Sequence, residues 1–353
     1  MKNNYSLFEQ YLHRLSVGNP MFNEISFDLE KTLFLSKSSS IHPRVIFISG
    51  LARSGTTALL NHLVNLKIGH SLTYQDLPFL FMPNIAGQMG GFNKVSAPRE
   101  RAHGDNILIN EESPEAIDEI FWKNQLGDNY ILDKQMALHE PSKSDLKDYK
   151  KFIQLHLFKA QQSTYLSKNN NTILRLHGFM NQTILDTHFL FAIREPFAHA
   201  SSLLKQHVRF LDMHQKDAFS RAYFDSLGHH EFGMHLKSFD LKDEALNAKL
   251  STLDPLDLDY WLVNWLNYYQ YLLAHFSPDW ILVNFDDLCW QPNEVMRLLA
   301  KKWDFEVQEM NIPAYQAPKY PSKEHDFSEN LLIKCQELFQ KLQSICLAIP
   351  SNE

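Results

Sequence analysis

Three cysteines in 353 residues, Cys289, Cys335 and Cys346, are odd in number and widely spaced. They exclude a disulfide framework and point to a reducing cytoplasm. No run of about 18 apolar residues occurs, so no stable membrane insertion is expected. The opening stretch MKNNYSLFEQYLHRLSVGNP is too polar for a secretory signal. Positive charge is also short: 34 Lys+Arg against 41 Asp+Glu gives 34 − 41 = −7. That balance argues against a nucleic-acid partner or a strongly polyanionic acceptor, and leaves room for a local basic pocket. Internal repeats and low-complexity tracts are missing too. What remains, 44% hydrophobic and 21% charged, is an ordinary globular composition able to bury a sizeable core.

One further absence is a single residue. In RVIFISGLARSGTTALLNHLV, Arg44 to Val64, four apolar β-formers (Val45 to Ile48) run into Gly50, and Gly55 follows five places later. A Walker A loop, GxxxxGK[ST], would continue with lysine; here Thr56 stands there. A Gly-rich turn between strand and helix aims backbone N–H groups and the positive end of the helix dipole at an anion. Ser54, Thr56 and Thr57 add hydroxyl donors, and Arg53 places a cation before the second glycine, suited to a short anion. Read by composition alone, the segment is also a strand-to-helix turn rich in small residues.

Residues 5 to 16 carry a helical pattern that SVGNP ends, and LSKSSSIHP links to a first strand at 44 to 49. Helical spacing from Thr56 to Leu66 is followed by IGHSLTY, which alternates like a second strand and stops at Gln75-Asp76-Leu77-Pro78. Helix signals return at SPEAIDEIFWKNQL, with Ser113 as cap and Pro114 in the first turn, and at about 142 to 163. Later strands are expected at TYLSKN, HFLFAIRE and DWILVNF, with helices at about 172 to 186, 196 to 226, 255 to 276, 292 to 303 and 327 to 346. Strands alternating with helices predict an α/β fold, P-loop-like and three-layered, with a mainly parallel sheet covered on both faces. The expected plan is one unit over 1–353. It has an N-terminal helix within 1–40, a core at 41–305 with a partly helical insertion at about 79–163, and a helical tail at 306–353.

ARSGTT resembles the 5′-phosphosulfate loop of sulfotransferases that use 3′-phosphoadenosine-5′-phosphosulfate (PAPS): a basic residue followed by Ser-Gly-Thr-Thr. LFAIREPFAHASSLL resembles that family's second motif. Arg194, Glu195 and Pro196 match its start, and Ser202 stands at the required eighth position, with Ser201 beside it as a substitute. The resemblance implies that Arg53, Ser54, Gly55, Thr56 and Thr57 hold the 5′ end of the donor, and that Arg194 and Ser202 bind its 3′-phosphate. It also implies a lysine at a strand end before the arginine. Lys168 lies 194 − 168 = 26 positions ahead of Arg194, where the family's lysine stabilises charge on the bridging oxygen and transferring group. Taken without the family, Lys168 also reads as a solvated lysine before an Asn-rich turn. The likeness spans about residues 44 to 290, and TYQDLPFLFMPN and ERAHGDN resemble an uncharacterised bacterial branch that gives no substrate.

Many cytosolic members follow the lysine with Thr-His, the histidine being the base; Asn169 and Asn170 stand here, and neither takes a proton. Asp76 is the first alternative, 76 − 55 = 21 residues past Gly55, where glutamate-using branches place their carboxylate. At the end of a parallel strand it would face the ligand crevice, although Asp in YQDLP also suits a turn. His177 is the second, because Arg175-Leu176-His177 weakly imitates Lys-Thr-His. LGHHEFGMH (His229, His230, Glu231, His235) lacks the helical spacing of a zinc site and reads better as a turn. Phe285 replaces a family tyrosine, and His207 suits either the acceptor side or a helix surface. The expected reaction is metal-free transfer of a sulfuryl group from PAPS to a hydroxyl on a small molecule, glycan or peptide, with adenosine 3′,5′-bisphosphate (PAP) released. Two other readings stand beside it: a P-loop kinase or NTPase in which Arg53 replaces lysine and Asp286 or Asp287 holds Mg²⁺, and a silent PAP-binding protein.

Overall fold

A computed structural model describes residues 17–77, 79–89, 99–100, 108–109, 113–115, 117–306, 310–314 and 326–349. Eight strands occur in it: β1 (Arg44–Ser49), β2 (Arg99–Glu100), β3 (Leu108–Ile109), β4 (Gln135–Ala137), β5 (Thr164–Lys168), β6 (Asp186–Ile193), β7 (Ser238–Asp240) and β8 (Ile281–Asn284). Four of them form the central sheet in the order β5-β1-β6-β8, every pair parallel. The remaining four pair off as an antiparallel β2–β3 ribbon and a parallel β4–β7 pair.

The uninterrupted apolar run of β1 follows from its central position, since a strand covered on both faces has no solvent side for polar residues. Successive side chains point to opposite faces. Val45 and Phe47 of β1, with Phe189, Phe191 and Ile193 of β6, enter the larger core. Ile46, Ile48, Leu190, Ala192 and Val283 enter the smaller one, beneath Leu59, Leu60 and Leu63 of helix Thr56–Asn65 and Val295 and Leu299 of helix Pro292–Lys302. Helices Lys143–Ala160, Leu258–Ala274 and Glu329–Gln343 cover the larger face, and Trp265 packs 6.4 Å from Phe339 across the last two. Burying each such Leu, Ile or Phe stabilises the fold by roughly 1.5–3 kcal/mol. The α/β class and the parallel covered sheet are as the strand-helix alternation predicts.

Several local expectations are corrected. IGHSLTY is no second strand: it makes two isolated bridges, His70 to Tyr165 and Thr73 to Pro114, and the chain turns into a short 3₁₀ helix, Tyr74–Asp76. Alternation signals a half-buried extended segment, but Asp76 closes back on Thr73 and ends it after two isolated bridges. Pro114 opens no helix; it bridges Thr73, and the helix runs Glu119–Tyr130. The fixed φ of proline suits extended chain as readily as a first helical turn. The run at 172–186 is a 3₁₀ helix, Asn170–Arg175, followed by one short helix, Leu176–Met180. The helix expected at 5–16 lies outside the described residues, as does most of ERAHGDN. Asn19 and Pro20 also form the cap and first residue of a further helix, Pro20–Phe34. Within 79–163 the insertion is partly helical, with Pro83–Gln88, Glu119–Tyr130 and Lys143–Ala160.

Candidate active site

The loop after β1 is shaped by backbone that few residues tolerate. Gly50 has φ +152°, and a Cβ on it would come within 2.8 Å of the Ala192 carbonyl oxygen on β6. Gly55 has φ +100°, and a Cβ there would lie 2.5 Å from the Phe285 ring. Arg53 between them also adopts a left-handed conformation, φ 72°. Gly55 caps helix Thr56–Asn65 with no side-chain hydrogen bond, so no side-chain cap covers this helix N-terminus, the kind of end that suits an anion. Ser54 and Thr56 are buried in the turn, and Thr57 is half-buried.

The second motif meets this loop directly. Arg194 follows β6 and donates from Nη1 to the Arg53 carbonyl at 3.1 Å. Its guanidinium lies 4.6 Å over the Phe285 ring. On helix Pro196–Lys216, Ser202 Oγ stands 3.4 Å from Arg53 Nε, and a His199 ring nitrogen lies 2.7 Å from the Ala52 carbonyl. Burial and then the nearby Arg53 charge lower the pKa of Arg194. Two guanidiniums that repel one another at a helix N-terminus favour an anion between them. Arg194 Nε and Ser201 Oγ are buried without a hydrogen-bond partner, an unfavourable arrangement that a phosphate would relieve.

Lys168 ends β5 opposite Ile48, one residue before β1 finishes. Its Nζ lies 3.3 Å from Glu115 Oε1, both side chains being at least nine-tenths buried (8% and 5% exposed). Glu115 Oε2 accepts from the Tyr74 hydroxyl at 3.1 Å, and its peptide N–H donates to the Leu72 carbonyl. Asn169 donates to Glu119, and Asn170 to Glu231. Among the described residues, the carboxylate beside Lys168 is Glu115.

Asp76 is engaged elsewhere. Its Oδ2 accepts from the Thr73 N–H at 2.8 Å, and its Oδ1 pairs with Lys159 at 2.8 Å. Burial raises its pKa, but His156, Lys159 and Thr73 together outweigh burial and leave it lowered, the opposite of what a base needs. His177 sits 4.8 Å from His275. Helix Leu258–Ala274 descends antiparallel to β6, with Trp265 bonded to the Arg194 carbonyl and Tyr269 to the Ala192 carbonyl, so His275 and His177 lie towards the amino end of the sheet. That is the opposite end from Lys168. His207 is a core histidine on helix Pro196–Lys216, its Nδ1 accepting from the Gly233 N–H, and burial lowers its pKa to about 4.

No family model matches the chain, and no curated protein does. Solved structures do. The sulfotransferase STF9 from Mycobacterium avium superposes with a TM-score of 0.53 at 11% identity, covering 97% of this chain and 87% of its own. The sulfotransferase STF1 from Mycobacterium tuberculosis gives 0.46 at 10% identity, over 87% of this chain and 80% of its own. The chain has the sulfotransferase fold.

Within this fold, the loop at 50–57, Arg194 with Ser201 and Ser202, and the Lys168–Glu115 pair all gather at the carboxyl ends of β1, β5 and β6, where open parallel sheets bind their ligands. Two residues were missed by sequence reasoning. Phe285 was noted only for its lost hydroxyl, yet it packs on both Gly55 and Arg194. Glu115 was read as helix interior, and no local signal marks it, because its partner lies 53 residues away. The histidine run at 229–235 builds no grouping of three ligand atoms among the described residues. Among them, no helix is long and apolar enough to cross a membrane.

Proposed function

We propose that this chain is a PAPS-dependent sulfotransferase acting on a hydroxyl acceptor. The observation that carries the reading is the convergence of Arg53, Arg194 and Ser202 on a phosphate-type loop that has threonine in place of the Walker lysine. The partnerless Arg194 Nε and Ser201 Oγ support a phosphate there. When bound, PAPS supplies a sulfuryl group whose S–O bond to the 5′-phosphate breaks as the acceptor oxygen bonds to sulfur, leaving PAP. Arg53, Ser54, Gly55, Thr56 and Thr57 hold the 5′ end through backbone N–H groups, hydroxyls and one guanidinium. Arg194, Ser202 and Ser201 hold the 3′-phosphate. Lys168 stabilises the negative charge that develops on the transferring oxygens. Glu115, in place of Asp76 or His177, receives the acceptor's proton. The chain acts as one unit over 1–353 in a reducing cytoplasm, a reading supported by its three free cysteines and by the last helix packing on the core.

The kinase reading loses support because Thr56 cannot supply the missing charge and Asp286 faces Arg194 electrostatically. Thermal unfolding separates the two. PAP at 100 times its dissociation constant should stabilise the chain by about 2.7 kcal/mol. ATP with Mg²⁺ should not; the reverse pattern overturns the proposal. Transfer of labelled sulfuryl from PAPS to a phenolic acceptor then separates an enzyme from a silent binder.

A further inference from the structure

We propose that His70, Asp76 and His156 bind a divalent transition-metal ion of the zinc class at the outer edge of β5, apart from the sulfuryl-transfer site. Their ligand-type atoms all lie within 4.8 Å of one another. Two imidazoles and a carboxylate form a common set for zinc or a similar ion, with bonds of about 2.0–2.2 Å and a fourth position for water.

Each ligand comes from a different piece of the fold. His70 is held by its backbone against β5, donating to the Thr164 carbonyl at 2.9 Å and accepting from the Leu166 N–H at 2.8 Å. Asp76 comes from the 3₁₀ turn and His156 from helix Lys143–Ala160. His156 is fully buried, and its Nε2 lies 2.9 Å from the Leu80 carbonyl. That contact places the ring proton on Nε2 and leaves Nδ1 as a lone pair, and Nδ1 has no hydrogen-bond partner. Metal-bound histidines are oriented this way, one nitrogen donating to a carbonyl and the other on the ion. His70 Nε2 is likewise buried without a partner. Two buried partnerless nitrogens beside one carboxylate are unfavourable as they stand, and coordination relieves both.

Lys159 is the competitor. It neutralises Asp76 at 2.8 Å, but its side chain is 37% exposed. It also lines a cavity of about 460 Å³ with Phe34, Asn84 and Gln88, which gives the ammonium room to turn aside when a dication takes its place. The ion would clip the 70–76 segment to helix Lys143–Ala160. That segment carries Tyr74, whose hydroxyl donates to Glu115, so the ion steadies the scaffold of the site and takes no part in transfer.

The test uses the full chain without a histidine tag, dialysed against chelator and titrated with Zn²⁺ or Co²⁺. Expected are one equivalent bound per chain, visible Co²⁺ ligand-field bands, and a melting temperature that Zn²⁺ raises by at least ~3 °C. His70→Ala should lose both signals, and Lys159→Met should bind Zn²⁺ at least tenfold more tightly. A wild-type chain with neither Co²⁺ bands nor a Zn²⁺-dependent shift overturns the proposal, as does a folded His70→Ala that keeps both. Should His70→Ala fail to fold, unchanged affinity in Lys159→Met overturns it. None of these readouts depends on sulfuryl transfer.

Discussion

Glu115→Gln is the substitution that most directly tests the proposed chemistry. Glutamine keeps the shape but has a single oxygen, so it can accept from Lys168 while its NH2 faces Tyr74, and it cannot take the acceptor's proton. Loss of a positioned general base lowers turnover by roughly 10²–10⁴-fold, about 2.7–5.4 kcal/mol in barrier height. Stability responds separately. The Lys168–Glu115 pair is buried on both sides, and deleting one member of such a pair outright costs about 3–5 kcal/mol. With the glutamine oxygen still accepting, the loss falls nearer the ~1.5–3 kcal/mol of one charge-assisted hydrogen bond. Transfer rate at saturating PAPS, PAP affinity by calorimetry and urea unfolding separate these effects. The expected pattern is collapsed turnover, near-normal PAP affinity and a modestly lower midpoint. Asp76→Asn and His177→Ala are the controls: both should keep turnover within about tenfold, and Asp76→Asn should lose stability because it uncouples Lys159. A folded Glu115→Gln with wild-type turnover refutes the assignment, and loss of activity in Asp76→Asn alone restores the aspartate.

Arg194→Ala should weaken PAP by roughly 10- to 150-fold, the value of one charge-assisted phosphate contact of ~1.5–3 kcal/mol; unchanged affinity by calorimetry in a folded protein removes Arg194 from the site. Gly55→Ala introduces a Cβ against Phe285 at a left-handed position, so a loss of about 1–3 kcal/mol in urea and weaker PAP binding are expected, and a neutral result would mean the loop relaxes freely. Asp118 gives a pH signature: burial raises its pKa from 3.8 to about 6 despite hydrogen bonds from Tyr149 and Tyr165. The folded form thus keeps a proton that the unfolded chain has released, so its stabilising contribution is complete below pH 3.8 and is lost as pH rises through 6. The difference between 3.8 and about 6 amounts to about 3 kcal/mol. Asp118→Asn should lack that decline, and wild-type and mutant stability profiles that run parallel from pH 4 to 7 contradict it.

What was legible in the chain is what depends on neighbours in sequence. The apolar run of β1, the glycines of its loop and the Arg194-to-Ser202 spacing each encode local backbone or one helix face, and the structure brings them together. The second strand and the Pro114 helix start were misread because alternation and proline report extended or φ-fixed chain without saying what it pairs with. Glu115 was illegible for a different reason. It reaches Lys168 only because the Thr73–Pro114 bridge folds the insertion back along the 3₁₀ turn, and no pattern within 53 residues encodes that return.

Register in the central sheet converts these separated motifs into one site. β1 lies between β5 and β6, with Ile48 opposite Lys168 on one side and Ser49 opposite Phe191 on the other. Both neighbours therefore run out within a few residues of the loop, Lys168 ending one and Arg194 following the other. A parallel strand rises about 3.3 Å per residue, so those offsets amount to roughly one side-chain length, which Lys and Arg can span. Period-two packing holds the register, because a shift of one residue would exchange Val45 and Phe47 with Ile46 and Ile48 between two differently shaped cores. The apolar order of β1, which touches no ligand, thus determines how closely Lys168 and Arg194 approach the anion loop.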